Sequence, residues 1–304
     1  MKNLTDYIAE AYEYNYNISN VPKYTSTGTD KVSINKANNK TNNKTNYTVQ
    51  PKNKDELMYI ITSAFKIKQY DLNFIDTSKI TDMSELFINI NHNFDVSKWD
   101  VSNVTNMSQM FYYCKNFDCD LSNWDVSNVK DMSYMFTYCF KFNCNLSTWD
   151  VSNVKNMRHT FNGCNIFIGK GLENWDVSKA TDMRYMFRLC KNFDCDLSNW
   201  NVSNILNIGW MFNECEMFTG KGLENWDISN VTNMFGMFCG CTNFNCDLSN
   251  WDVSNVINMY ALFRKCNKFT GKGLENWNVS NVIDMRGMFK GCNRLPIPYW
   301  YDKL

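Results

Sequence analysis

The stretch "WDVSNVKDMSYMF", Trp124–Phe136, returns almost word for word at Trp99, Trp149, Trp175, Trp200, Trp226, Trp251 and Trp277, always 25 or 26 residues on. A fixed period of this size marks a solenoid, in which one coil cannot bury its own apolar face and must borrow a neighbour's. Counting each Trp as zero, Val or Ile stands at +2, Ser at +3, and Val, Ile or Ala at +5. Met (once Ile208) stands at +8, Met, Leu or Thr at +11, Phe at +12, Cys at +15, and Phe at +18 (Leu295 in the last copy). Positions +8, +11, +12 and +15 share one face of an α-helix, so a short helix is expected there, with the Ser, Asn and Thr residues at +3 to +6 as its starters. Trp and the +2 residue flank an Asp, which reads as a very short strand. A degenerate ninth copy, "FIDTSKITDMSELF", precedes the others, with Ile75 in the Trp place and Phe87 at +12.

The fuller phrase "LSNWDVSNVKDMSYMF", with its trailing Cys and Phe, resembles the BspA-type leucine-rich-repeat surface proteins and the related repeat of mycoplasma lipoproteins, over about residues 71–292. The resemblance implies an α/β solenoid: a leucine-rich-repeat-like, right-handed stack of about nine short strand-plus-helix coils. It also implies a surface-display or binding role. On this reading residues 54–74 supply an N-terminal capping helix and first strand, 75–304 the repeat solenoid, and 293–304 its C-terminal cap. In that cap Pro296 and Pro298 refuse further strand pairing, and Tyr299, Trp300 and Tyr301 cover the last Phe. Leu57, Ile60, Ile61 and Ala64 at i, i+3, i+4 and i+7 carry the capping helix.

Thirty-one basic and 31 acidic residues leave no net charge, so neither nucleic acid nor an anionic membrane is an expected partner. No apolar run is long enough for a membrane span. The first residues, with Tyr, Asp and Glu among them, do not read as a signal peptide. Thirteen cysteines then imply reduced thiols in a cytosol-like compartment when the chain is made, with the cell surface or a virion still open as a destination. Residues 1–22 read as a leader, and 23–53, almost only Asn, Lys and Thr in the middle, as a disordered tether. The leader "MKNLTDYIAEA" resembles the capsid-targeting peptides of T-even-type phage internal head proteins, through Met1, Lys2, Ile8, Glu10 and Ala11. That resemblance implies cleavage between Glu10 and Ala11, and a packaged, virion-associated protein as the alternative reading.

No Ser-His-Asp or Cys-His grouping appears and the only histidines are His92 and His159, so no enzyme, cofactor or zinc site is expected. The +15 cysteines read as small buried hydrophobes, with cross-coil disulfides open in an oxidising space. Asp at +1 in six copies forms a like-charge column that needs an offset, from local Ser donors or from calcium. Gly-Lys-Gly at 220–222 reads as a turn for the extra residue of the longer coils, since the rest of a P-loop is missing. Positions +9, +10, +13 and +14 vary freely and carry Tyr112, Tyr113, Tyr134, Tyr138, Arg158, Arg184, Tyr185, Arg188, Trp210, Tyr260 and Arg286. Tyr, Trp and Arg anchor interfaces. This face is therefore the candidate binding surface for a protein or glycan partner, on a chain expected to be monomeric.

Overall fold

A computed structural model describes residues 49–301. The leader with Glu10 and Ala11, and most of the expected tether, lie outside the described residues. Residues 49–53, assigned above to the tether, are part of the folded body. Val49 pairs in parallel with Ile75, Pro51 is buried, and Asn53 caps the following helix by accepting the Glu56 N–H at 2.9 Å. Helix α1, Lys54–Lys66, buries Leu57, Ile60, Ile61 and Ala64, the four positions that its spacing predicts. Phe65 from this helix meets Phe87 with ring centroids 6.4 Å apart.

The repeats contain neither the α-helix nor the very short strand expected from the pattern. The positions chosen as the helical stripe are indeed buried, for example Met107, Met110, Phe111 and Cys114, all at 0 % exposure. The backbone that buries them is a run of tight turns. Within a coil, buried residues are linked by N–H to C=O bonds three residues apart: Trp124 to Leu121, Val129 to Val126, Met135 to Met132, Cys139 to Phe136 and Phe142 to Cys139. A two-turn stretch from +8 to +15 replaces the helix. There the N–H groups of +8, +10, +12 and +14 donate to the next coil, as from Met107, Gln109, Phe111 and Tyr113 to the carbonyls of Asp131, Ser133, Met135 and Thr137. Those of +11, +13 and +15 donate three residues back within the coil. The remaining donor, at +9, is taken by an Asn or Asp side chain at +7, at 2.8–3.2 Å. In an inner coil such as 99–123 every donor of the stretch has a partner, as burial demands; the exception among the inner coils is Met183, at the step without a +7 bridge.

This alternation requires left-handed backbone at +10 and +14. All eighteen such positions in the nine coils have positive φ, thirteen of them in residues other than glycine. Parallel bridges connect the +7 residues coil to coil, from Asp82 through Asn106, Asp131 and Asn156 to Asp182, and again from Asn207 through Asn233 and Asn258 to Asp284.

Side chains extend the ladder. The +12 phenyl rings form one column from Phe87 to Phe289, with centroids 5.4–6.0 Å apart and planes within 11°. Each indole N–H donates to the carbonyl three residues before the preceding Trp, at 2.8–3.4 Å. Trp300 continues that column, donating to Leu274 at 2.8 Å and stacking on Trp277, while Tyr301 packs edge-on against Phe289 and Tyr299 stays exposed. The Asn residues at +4, read from sequence as helix starters, donate instead to the +3 carbonyl of the preceding coil, at 2.7–2.9 Å.

The Gly-Lys-Gly segments are turns. Gly222 has φ +89°, and a Cβ there would stand 2.3 Å from the Ser198 backbone nitrogen. Gly287 also has positive φ but faces open space. Gly222→Ala should therefore lower stability by at least about 3 kcal/mol, and Gly287→Ala by only about 1 kcal/mol, the left-handed penalty alone. Urea unfolding of the two variants measures the difference; equal losses would contradict the close coil-to-coil approach.

Candidate functional site

Three features singled out in the sequence are accounted for by packing. The first is the thiol column. Each +15 cysteine donates its S–H to the carbonyl of the +12 Phe in the preceding coil, for example Cys139 to Phe111 at 3.0 Å and Cys190 to Phe161 at 2.9 Å. Cysteine fits because it is small and apolar yet can donate to a carbonyl that faces it. All thirteen thiols are free. Burial pushes the Cys114 thiol up to about 12 and those of Cys139, Cys164, Cys215, Cys241 and Cys266 well above the ordinary 9.0.

The second is the Asp column at +1. Its offset is local: the +3 Ser N–H donates to Oδ1 in each copy, as at Asp125–Ser127 and Asp252–Ser254. The Ser hydroxyl and amide hold the carboxyls of Asp125, Asp176, Asp227 and Asp252 below the usual carboxylate range. Among the described residues no group of three or more His, Cys, Asp or Glu could hold a metal ion. The third is the lysine of Gly-Lys-Gly, which in two of three copies pairs with a carboxylate of the preceding coil: Lys221 with Asp196 at 3.0 Å and Lys272 with Asp247 at 2.7 Å.

The aromatic and arginine residues of the variable positions occupy the outer side of the two-turn stretch, while Thr137, Asn162 and Asn213 at +13 are buried; here the structure gathers side chains that the sequence separates by a whole repeat. Tyr134, His159 and Tyr185, all at +10 with φ near +60°, form a parallel three-ring stack with centroids 4.5 and 4.3 Å apart. Arg158 lies astride it, its guanidinium 5.8 Å from the Tyr134 ring and 6.0 Å from that of Tyr185. Arg184 forks onto Asp182 at 2.9 and 2.5 Å, and Arg188 donates Nε to Asn213 at 3.1 Å. Burial, then the charges of Arg158, Arg188 and Arg184, hold the His159 imidazole well below its ordinary range, so it is neutral. Toward one end Tyr112 meets Tyr134 edge-on, Tyr113 meets Tyr138, and the Tyr138 ring lies where a Cβ on Gly163 would be. Toward the other, Trp210 lies over Gly236 and Phe235 over Gly209.

Tyr260 carries Arg286 above its ring at 5.8 Å, and Arg286 forks onto Asp284 as Arg184 does onto Asp182. Two coils and more separate this pair from the central stack, so the predicted set is not one cluster. Sequence reasoning missed His159 and Phe235. It also missed the +7 Asn or Asp, present in all nine coils and visible as a repeat, because a helical reading leaves that side chain without a role. The aromatic residues hold one another as well as facing outward, so alanine at Tyr134 or Tyr185 costs about 1 kcal/mol of stability before any partner is considered.

The buried thiols yield a pH prediction. Above 9.0 an unfolded thiol sheds its proton while the buried one keeps it, so the unfolded state gains and stability falls as pH rises. Each such thiol costs about 0.4 kcal/mol at its unfolded value and about 1.4 kcal/mol more per pH unit above it. For the seven fully buried +15 thiols, Cys114 through Cys266, the loss at pH 9 is about 3 kcal/mol. Urea midpoints taken with reductant should hold level from pH 7 to 8 and drop steeply beyond; a level curve to pH 9.5 would contradict the burial.

No helix among the described residues is long and apolar enough to cross a membrane. No curated protein and no solved structure matches the chain. The model described as "Mycoplasma protein of unknown function, DUF285" matches three overlapping segments, 55–168, 145–222 and 207–301, which together span the whole repeat region. With well over half its length so matched, the chain belongs to this repeat family.

Proposed function

We propose that the protein is a non-enzymatic binding module of the BspA-type leucine-rich-repeat class, a solenoid that presents the outer side of its two-turn stretches to a protein or glycan. One observation carries the reading. The apolar core positions repeat almost without change while +9, +10, +13 and +14 differ from coil to coil, on a backbone whose hydrogen bonds tie each coil to the next. A rigid scaffold with a variable, aromatic and arginine-bearing face suits recognition: such side chains bring large contact area at low entropic cost. The +7 bridges and the Phe column support the solenoid reading, with tight turns in place of the expected α-helix.

The test is selection followed by mapping. The full chain is panned against a random-peptide display library and probed on a glycan array, and the bound state is footprinted with hydroxyl radicals. The expected outcome is a binder that protects Tyr112, Tyr134, Tyr185 and Trp210 and leaves the exposed Asp125 to Asp252 column unprotected. Protection confined to the Asp column, or no binder from either collection, sinks the proposal.

A further inference from the structure

Resting on that reading of the outer face, we infer a carboxylate-binding site on Arg158 and Arg188, flanking the Tyr134–His159–Tyr185 stack, that takes an acidic segment of a protein partner. Among the described residues neither arginine has a carboxylate partner, whereas the neighbouring Arg184 is already satisfied by Asp182. The Arg158 Nε is buried and makes no hydrogen bond. Its guanidinium is held over two rings by cation–π contact, and the terminal nitrogens remain for an outside acceptor. The Arg188 Nε is spent on Asn213, which orients its fork in the same way. Arg188 follows Tyr185 by one tight turn, its N–H donating to the Tyr185 carbonyl at 3.1 Å, which sets it beside the stack.

His159 is neutral there and adds no competing proton equilibrium. The Glu214 carboxylate of the next coil lies over Gly240. Three arginines here share one paired carboxylate among the described residues, that of Asp182, and the surplus positive charge makes a local demand for oxyanions.

The ring geometry selects the class of partner. Sugars and nucleobases are recognised by stacking on open aromatic faces. In the stack both faces of His159 are covered, and the outer flanks of Tyr134 and Tyr185 meet Tyr112 and Phe235 edge-on at 6.4 Å. Ring edges and guanidinium forks are what the surface offers. Those match the side-chain carboxylates of Asp and Glu, and the geometry favours a protein over a glycan.

Fluorescence anisotropy of a labelled heptaglutamate peptide with the full chain, at low salt, tests this. Saturable binding is expected, with none for heptaglutamine. The double variant Arg158→Gln, Arg188→Gln should weaken it at least tenfold, while Lys272→Gln, an exposed cation on a Gly-Lys-Gly turn away from this face, should change it less than twofold. Thermal midpoints of the variants check that the fold is intact, and Arg158→Lys with Arg188→Lys should restore part of the affinity if one variant proves unstable. Binding that survives the double Gln substitution, or a single-stranded thymidine oligonucleotide that binds as tightly as heptaglutamate, overturns the assignment. Either result leaves the outer face itself to be judged by its footprint.

Discussion

A chain that must bury a residue every three or four positions, always toward the same side, ordinarily does so as a helix, whose hydrogen bonds close within the segment. Here alternate N–H groups are given to the next coil, and the rest close turns within their own. That division holds the molecule together, because it ties each coil to its neighbour through backbone rather than through side chains alone. Its condition is a left-handed residue at +10 and +14 in every coil, at about 1–2 kcal/mol for each residue with a side chain. Tyrosine, tryptophan and histidine accept that conformation because hydrogen bonds on both sides over-determine the backbone.

The side-chain columns follow from the same register. Coils spaced by one ladder step bring equivalent atoms into line, so a group that suits one level suits all of them. Phenyl rings stack near 5.7 Å, indole N–H groups meet the carbonyl one level down, and a thiol reaches the Phe carbonyl that a larger side chain would crowd. Identical residues are therefore favoured at every level, which is the physical reason for the repetition in the sequence. The one step where the +7 bridge is missing, between Asp182 and Asn207, is also where Arg184 takes the Asp182 carboxylate and Ile208 stands in for Met.

On the outer side no such register is imposed, and the residues vary. Positive φ at +10 and +14 turns tyrosine, histidine and tryptophan rings against the neighbouring coils, over glycine at Gly163 and Gly236. Strained positions that carry aromatic and charged groups, held by a hydrogen-bonded frame, are where recognition chemistry tends to collect.

The repeat length, the nine levels, the inward positions and the amphipathic cap Lys54–Lys66 were all legible in the amino-acid string, since each depends only on which positions are apolar and how often they recur. So was the freedom of +9, +10, +13 and +14. The conformation of the coils was not, because a 3.6-residue stripe and a pair of successive turns bury the same +8, +11, +12 and +15 positions, and only the partner of each N–H tells them apart. Nor could a single coil reveal that Arg158 spans two rings from the levels on either side, or that His159 is sandwiched and neutral. Those relations exist between residues a full repeat apart, and it is the stacking of coils that sets them within a few ångströms of one another.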